Sequence, residues 1–156
     1  MTDENVTSGH CTCGAIRYAF TGKPHWVMHC HCASCRRAVG SAVATYVGVK
    51  ADRFRYTAGT PKAYPSSPGV LRHFCGDCGT PIAYTGDRWP TEVHLYRGTL
   101  DDPAAWPPTG HAHIVELRGE EPPHGVPRVH PVRHRQRRQR LVEIVVRRRQ
   151  RRPRAG

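Results

Sequence analysis

Hydrophobic and polar residues alternate in several short stretches, the pattern of half-buried strands. Ile16, Tyr18 and Phe20 occupy every second position of one stretch, and Val93 and Leu95 do so in another. Other short stretches rich in Val, aromatic or Ile residues predict strands at residues 26–29, 41–49, 54–56, 70–74, 82–84 and 111–117. The pattern therefore predicts a mainly β domain.

Helical character is confined to one short segment. Residues 33–38 allow one or two helical turns, and Gly40 is a suitable stop. Pro and Gly clusters predict turns between the strands, with a loop over residues 65–69. No run is apolar for long enough to span a bilayer. With 156 residues, we expect a single all-β domain with little helix.

The densest cysteine cluster is Cys30, Cys32 and Cys35, which Arg36 and Arg37 follow directly. Zinc is bound tetrahedrally by thiolate and imidazole, and three protein ligands leave one position for water or substrate. We interpret this stretch as a reactive three-thiolate zinc site. The two arginines are either a solvated face or partners for a ligand's carboxylates.

Nearby histidines leave the coordination of this site open. His29 or His73 as a fourth ligand would make it a structural, inert site. His31 lies between two of the cysteines in an extended run and should point away from the metal, into packing or solvent.

The other four of the seven cysteines form two close pairs. Cys75 and Cys78, in a Cys-x-x-Cys-Gly turn between two predicted strands, should share one metal ion. Which ion Cys11 and Cys13 bind does not follow from spacing. The N-terminus carries acidic residues and no apolar stretch, so it does not read as a secretory signal, and we expect a cytoplasmic location. In a reducing cytosol clustered thiols favour metal binding, and the alternative is a secreted disulfide scaffold.

Positive charge is concentrated at one end of the chain. Residues 118–156 contain thirteen arginines and three glutamates, which account for most of the chain's net charge of +12. Three interpretations apply: a disordered basic arm for nucleic acid or anionic surfaces, a short helix or strand around residues 141–146, and a shifted reading frame. The arginine-rich, lysine-free composition favours the third.

The cysteine motifs resemble those of a known family. Cys11-x-Cys13-Gly14, Cys30-x-Cys32-x-x-Cys35-Arg36, Cys75-x-x-Cys78-Gly79-Thr80 and the later Gly98, Leu100, Asp101, Asp102 and Pro103 are similar to the glutathione-dependent formaldehyde-activating enzyme family, which also contains centromere protein V. The resemblance covers about residues 9–115. Family members continue with an aromatic, Pro-Trp type stretch at the active site, whereas this chain has no aromatic residue after Leu117.

The resemblance implies a β-tent fold, similar to the Mss4-like zinc proteins, with two Zn²⁺ per chain. It implies a structural zinc on Cys11, Cys13, Cys75 and Cys78, and a catalytic zinc on Cys30, Cys32 and Cys35. The expected organisation is a disordered N-terminus at 1–8, a zinc-binding domain at 9–117 and the basic tail at 118–156.

Three thiolates give the second zinc unit a net charge of −1, which makes it a weak Lewis acid. A coordinated thiol is deprotonated outright, and a thiolate is the nucleophile for carbonyl addition. We therefore predict a carbon–sulfur lyase or synthase that joins a small thiol, glutathione or an equivalent, to formaldehyde or a related aldehyde. The alternative is a non-catalytic zinc module whose basic tail binds nucleic acid or a protein partner. Neither the substrate pair nor the oligomeric state follows from the sequence.

Overall fold

The computed structural model describes residues 5–116. The interpretations of the tail at 118–156, including nucleic-acid binding and a shifted frame, lie outside the described residues. Within that range no helix is long and apolar enough to cross a membrane.

Strands dominate this part of the chain, which confirms the mainly β prediction. The single α-helix of the described residues, α1, has seven residues and ends at Gly40 in the left-handed conformation, as the sequence predicts. The elements in order are β1 Val6–His10, β2 Arg17–Thr21, β3 Trp26–Cys30, α1 Ala33–Val39, β4 Ala44–Lys50, β5 Phe54–Ala58, β6 Lys62–Ser67, β7 Val70–Phe74, β8 Pro81–Gly86, β9 Glu92–Tyr96 and β10 Gly110–Ala112.

The strands form two sheets. The small sheet has the order β1-β2-β5, and the large sheet has the order β10-β3-β4-β9-β8-β7-β6. Their pairings are antiparallel except for that of β10 with β3. Alternating apolar residues of both sheets form one core, among them Phe20 of β2, Val47 of β4 and Leu95 of β9, all fully buried.

Three boundaries differ from the sequence prediction. Residues 65–67 were predicted as loop but belong to β6, which tolerates Pro65 because β6 is an edge strand and needs no N–H there. Residues 6–8, assigned to a disordered N-terminus, lie in β1 and pair with β2. The last predicted strand, 111–117, is shortened to β10, because His113 has a positive φ and a 3-10 turn follows it.

One face of the large sheet points away from this core and is rich in aromatic residues. Neighbouring strands place Trp26, Gly48, His94, Tyr84 and Arg72 side by side in register. We call these five residues the aromatic row. The next row along β4 and β9 pairs Tyr46 with Tyr96.

Gly48 is the position in the aromatic row where a side chain cannot fit. The Trp26 ring lies over it, reaches the His94 ring at a centroid distance of 4.6 Å, and donates from Nε1 to Glu92 Oε2 at 3.2 Å. A methyl group at Gly48 would overlap the Trp26 ring.

We therefore expect Gly48→Ala to destabilise the protein by about 1–3 kcal/mol, the usual cost of overpacking. Denaturant unfolding followed by circular dichroism measures the effect. The matched control is Gly98→Ala, where nothing lies within 4 Å of an added methyl. Equal stability of the two variants would contradict the overlap.

Candidate metal centres

Four cysteines from two separate turns come together in the structure. Their Sγ atoms all lie within 4.8 Å of one another, with 3.4 Å between Cys11 and Cys13 and 3.7 Å between Cys13 and Cys75. A tetrahedral zinc with Zn–S bonds of about 2.3 Å has S···S edges of about 3.8 Å, whereas a disulfide bond measures about 2.05 Å. This four-cysteine group, which Cys78 completes, can therefore hold a metal ion.

Backbone hydrogen bonds curl both turns around their sulfurs. The Cys11 N–H donates to the Ile16 carbonyl at 3.0 Å, and the Ile16 N–H donates to Cys11 Sγ at 3.2 Å. The second turn has the matching bond from the Cys75 N–H to the Thr80 carbonyl at 2.9 Å. Gly79 allows this curl because its φ is +74°, which few other residues adopt.

Thr80 joins the two turns and acts on one of the thiols. Its Oγ1 accepts from the Thr12 N–H at 3.1 Å, donates to Thr12 Oγ1 at 2.9 Å and lies 3.1 Å from Cys78 Sγ. Contacts with the Thr80 side chain and backbone lower the pKa of Cys78 to about 5. This exposed thiol is therefore ready to bind a cation at neutral pH.

The second group of sulfurs comprises Cys30, Cys32 and Cys35, again within 4.8 Å of one another. Cys30 ends β3, Cys32 caps the N-terminus of α1, and Cys35 is the buried residue of α1. The Cys35 N–H donates to Cys32 Sγ at 3.2 Å. The cap and the first turn of α1 thus bring the three sulfurs together, and this three-cysteine group can hold a metal ion with three thiolates.

Charge within the three-cysteine group is unequal. Hydrogen bonds from Cys30 and Cys32 hold the pKa of Cys35 far below its ordinary value, and contacts with Tyr46 and Arg72 lower it further. The pKa of Cys30 is raised because its thiol hydrogen-bonds to the other two and is buried. These shifts favour negative charge on Cys35 over Cys30.

A guanidinium from the large sheet faces this charge. Arg72 Nη2 lies 3.8 Å from Cys35 Sγ and donates to Ser34 Oγ at 3.2 Å. Arg72 Nη1 donates to the Tyr46 hydroxyl at 3.2 Å and to the Tyr96 hydroxyl at 3.0 Å. Burial raises the pKa of Tyr46, so its hydroxyl stays protonated at neutral pH.

His29, His31 and His73 contact other side chains rather than the cysteines. His29 Nδ1 lies 2.8 Å from Thr45 Oγ1, and His73 Nε2 lies 3.0 Å from Thr85 Oγ1. His31 is 1 % exposed, and its Nε2 lies 2.7 Å from a ring nitrogen of His111. Across residues 5–116, neither candidate metal group includes a histidine.

Arg72, Tyr46 and Tyr96 were not identified from the sequence. Strand alternation indicates the direction of both tyrosines. Tyr46 directly precedes the core residue Val47 and Tyr96 directly follows the core residue Leu95, so both must point to the opposite face of the sheet. That they meet depends on the pairing of β4 with β9, which the sequence does not specify.

Comparisons with known proteins give a family match and a solved structure of similar fold. No curated protein matches the chain. A crystal structure of a Rhodobacter sphaeroides protein is similar in fold, at 21% sequence identity and a TM-score of 0.50, over 63% of this chain and 93% of that one. The family model for the glutathione-dependent formaldehyde-activating enzyme matches residues 6–116. The chain therefore belongs to the glutathione-dependent formaldehyde-activating enzyme family.

Proposed function

We propose that the protein joins a small thiol to formaldehyde or a related aldehyde, as a carbon–sulfur lyase or synthase. The observation that carries this proposal is the three-cysteine group. It offers a metal three sulfurs and no histidine within the described residues, which leaves a tetrahedral ion one open position. The family name adds glutathione and formaldehyde as the expected pair.

The two groups take different roles in this proposal. Cys11, Cys13, Cys75 and Cys78 would hold a structural zinc with a complete set of ligands, and Cys30, Cys32 and Cys35 would hold the catalytic zinc. When bound there, zinc supplies the deprotonation of a thiol that takes its open position.

The chain's own residues shape the surroundings of that position. Arg72 offsets part of the negative charge of the three thiolates through its contact with Cys35. The electrostatic repulsion of a fourth, incoming thiolate is therefore smaller. Tyr46 and Tyr96 belong to the same buried cluster as Cys30 and Cys35. These buried rings exclude water from one side of the three-cysteine group.

Location and domain organisation are part of the same proposal. Seven free thiols are stable in a reducing compartment, which supports a cytoplasmic enzyme. The catalytic unit comprises the β domain of residues 6–116, which includes β1, and both cysteine groups lie within it.

The proposal is tested by NMR exchange measurements on the zinc-loaded protein with glutathione and formaldehyde. We expect faster interconversion of free thiol and S-hydroxymethyl adduct than in buffer, and loss of the acceleration after chelation. Glutathione is then replaced by cysteine and other small thiols to find the preferred one. A protein with two zinc ions that accelerates none of these reactions would contradict the proposal.

A further inference from the structure

The hydroxyls of Tyr46 and Tyr96 form a pair beside the three-cysteine group. The two residues face each other across β4 and β9, with ring centroids 4.7 Å apart. The Tyr46 hydroxyl donates to the Tyr96 oxygen at 3.1 Å. Both side chains are buried, with 5% of each residue exposed, so the hydroxyl positions are fixed by packing.

Arg72 contacts both hydroxyls of this pair. All four hydrogens on its terminal nitrogens are donated within the protein, so none remains for a ligand. Nη1 uses its two hydrogens on the Tyr46 and Tyr96 oxygens. Nη2 uses its two on Ser34 Oγ and Cys35 Sγ. The guanidinium is also stacked over the Tyr84 ring at 5.4 Å. Arg72 is therefore suited to orient neighbouring groups rather than to bind substrate itself.

The Tyr96 proton is the one that this network leaves available. The Tyr96 oxygen accepts from Arg72 and from Tyr46, so its own hydrogen points to neither of them. Within residues 5–116, the structure shows no hydrogen bond in which the Tyr96 hydroxyl is the donor. Two donors, one of them charged, polarise the hydroxyl and make it a stronger donor.

The same guanidinium connects this donor to the sulfurs. One terminal nitrogen contacts Tyr96 and the other contacts Cys35 Sγ. The hydroxyl and the sulfur therefore flank the same rigid, planar guanidinium group. In thiol addition to an aldehyde, negative charge develops on an oxygen two bonds from the reacting sulfur. The guanidinium therefore ties the Tyr96 hydroxyl to the sulfur group at which the proposed addition takes place.

We propose that Tyr96 is a catalytic residue that donates a hydrogen bond to the developing alkoxide, and that Arg72 is its positioning residue. This inference rests on the proposed function. The thiolate sulfur forms a bond to the carbonyl carbon while the C=O π pair moves to oxygen. That oxygen takes up a proton equivalent to the one that the thiol released, so thiol and aldehyde give the hydroxyalkyl thioether without another reagent. In the reverse reaction, the same hydroxyl donates a hydrogen bond to the substrate oxygen while the C–S bond breaks.

Tyr96→Phe removes the donor and keeps the ring. We expect kcat to fall by about a hundredfold, the usual effect of deleting one oxyanion donor. The dissociation constant for glutathione alone, measured by calorimetry, should stay within about twofold, as should the zinc content, because the hydroxyl acts on the aldehyde oxygen. Tyr46→Phe loses the bonds of the Tyr46 hydroxyl to Tyr96 and Arg72 but leaves the Tyr96 hydroxyl in place, and it should lower kcat by less.

The control is Tyr56→Phe in β5, whose ring packs against Phe54 on the small sheet, and its kcat should equal that of the wild type. A wild-type protein without activity would refute the proposed function. An active wild type with an unchanged kcat in Tyr96→Phe would refute the inference alone, as would a larger loss in Tyr46→Phe than in Tyr96→Phe.

Arg72→Lys provides a second test, including the case in which Tyr96→Phe does not fold. A lysine ammonium cannot reproduce the four directed bonds of the guanidinium. We expect a drop in kcat of at least about tenfold, again with unchanged zinc content and glutathione affinity. Full activity in Arg72→Lys would overturn the positioning role.

Discussion

Cys78→Ser is expected to leave little folded protein. The four-cysteine group connects turns that are 62 residues apart between Cys13 and Cys75, and Cys78 supplies one of its four sulfurs. A structural zinc contributes on the order of 10 kcal/mol to folding, which is comparable to the whole stability of a typical domain. Loss of one ligand therefore removes a large part of what holds the two turns together.

The measurements are the soluble yield, the zinc content per chain and the thermal unfolding of Cys78→Ser beside the wild type. Asp77→Ser is a matched control, because Asp77 is exposed in the same turn and carries no sulfur. We expect Asp77→Ser to keep the wild-type zinc content and unfolding temperature. A soluble Cys78→Ser with full zinc content would contradict the structural assignment.

The sequence predicts those parts of the fold that depend on local pattern. Ile16, Tyr18 and Phe20 alternate and are buried in or beside β2. Gly40 ends α1 because it adopts the left-handed conformation at no steric cost. The edge strand β6 escapes prediction because Pro65 reads as a breaker unless the strand's position at the edge is known.

The candidate metal groups are predictable for a related reason. A two-residue gap brings Cys32 and Cys35 together whatever the rest of the fold does, and the same holds for Cys75 and Cys78. The partnership of Cys11 with Cys75 is a tertiary contact, and only the resemblance to a family indicated it.

The environment of the three-cysteine group lies beyond sequence reasoning. Arg72 reaches Cys35 from β7, which is separated from β4 by two strands in the large sheet. An arginine in a strand is usually a solvent-facing residue, and nothing in the pattern indicates that it contacts both a tyrosine pair and the first turn of α1. Such residues follow from strand order and register, which are collective properties of the folded chain.

Cys32→Ser is expected to abolish activity while the protein stays folded. Cys32 is the N-cap of α1, and serine is among the best N-cap residues, so its hydroxyl can still accept from the Cys35 N–H. The variant thus removes a thiolate and preserves the cap. The three-cysteine group also closes only a short loop between β3 and α1. Loss of its metal therefore increases the entropy of the unfolded chain less than opening the long loop between Cys13 and Cys75 does, and it costs less stability.

We expect the zinc content of Cys32→Ser to fall from two ions to one per chain, with circular dichroism close to that of the wild type. The rate of thiol addition to formaldehyde should fall to that of buffer, because the thiol loses the site that deprotonates it. Ala33→Ser is the matched control, since it adds a hydroxyl to the same exposed turn and removes no sulfur. Unfolding of Cys32→Ser to the extent expected for Cys78→Ser would show that both groups are structural. Retention of two zinc ions and the full rate would show that Cys32 is not a ligand of the reactive metal.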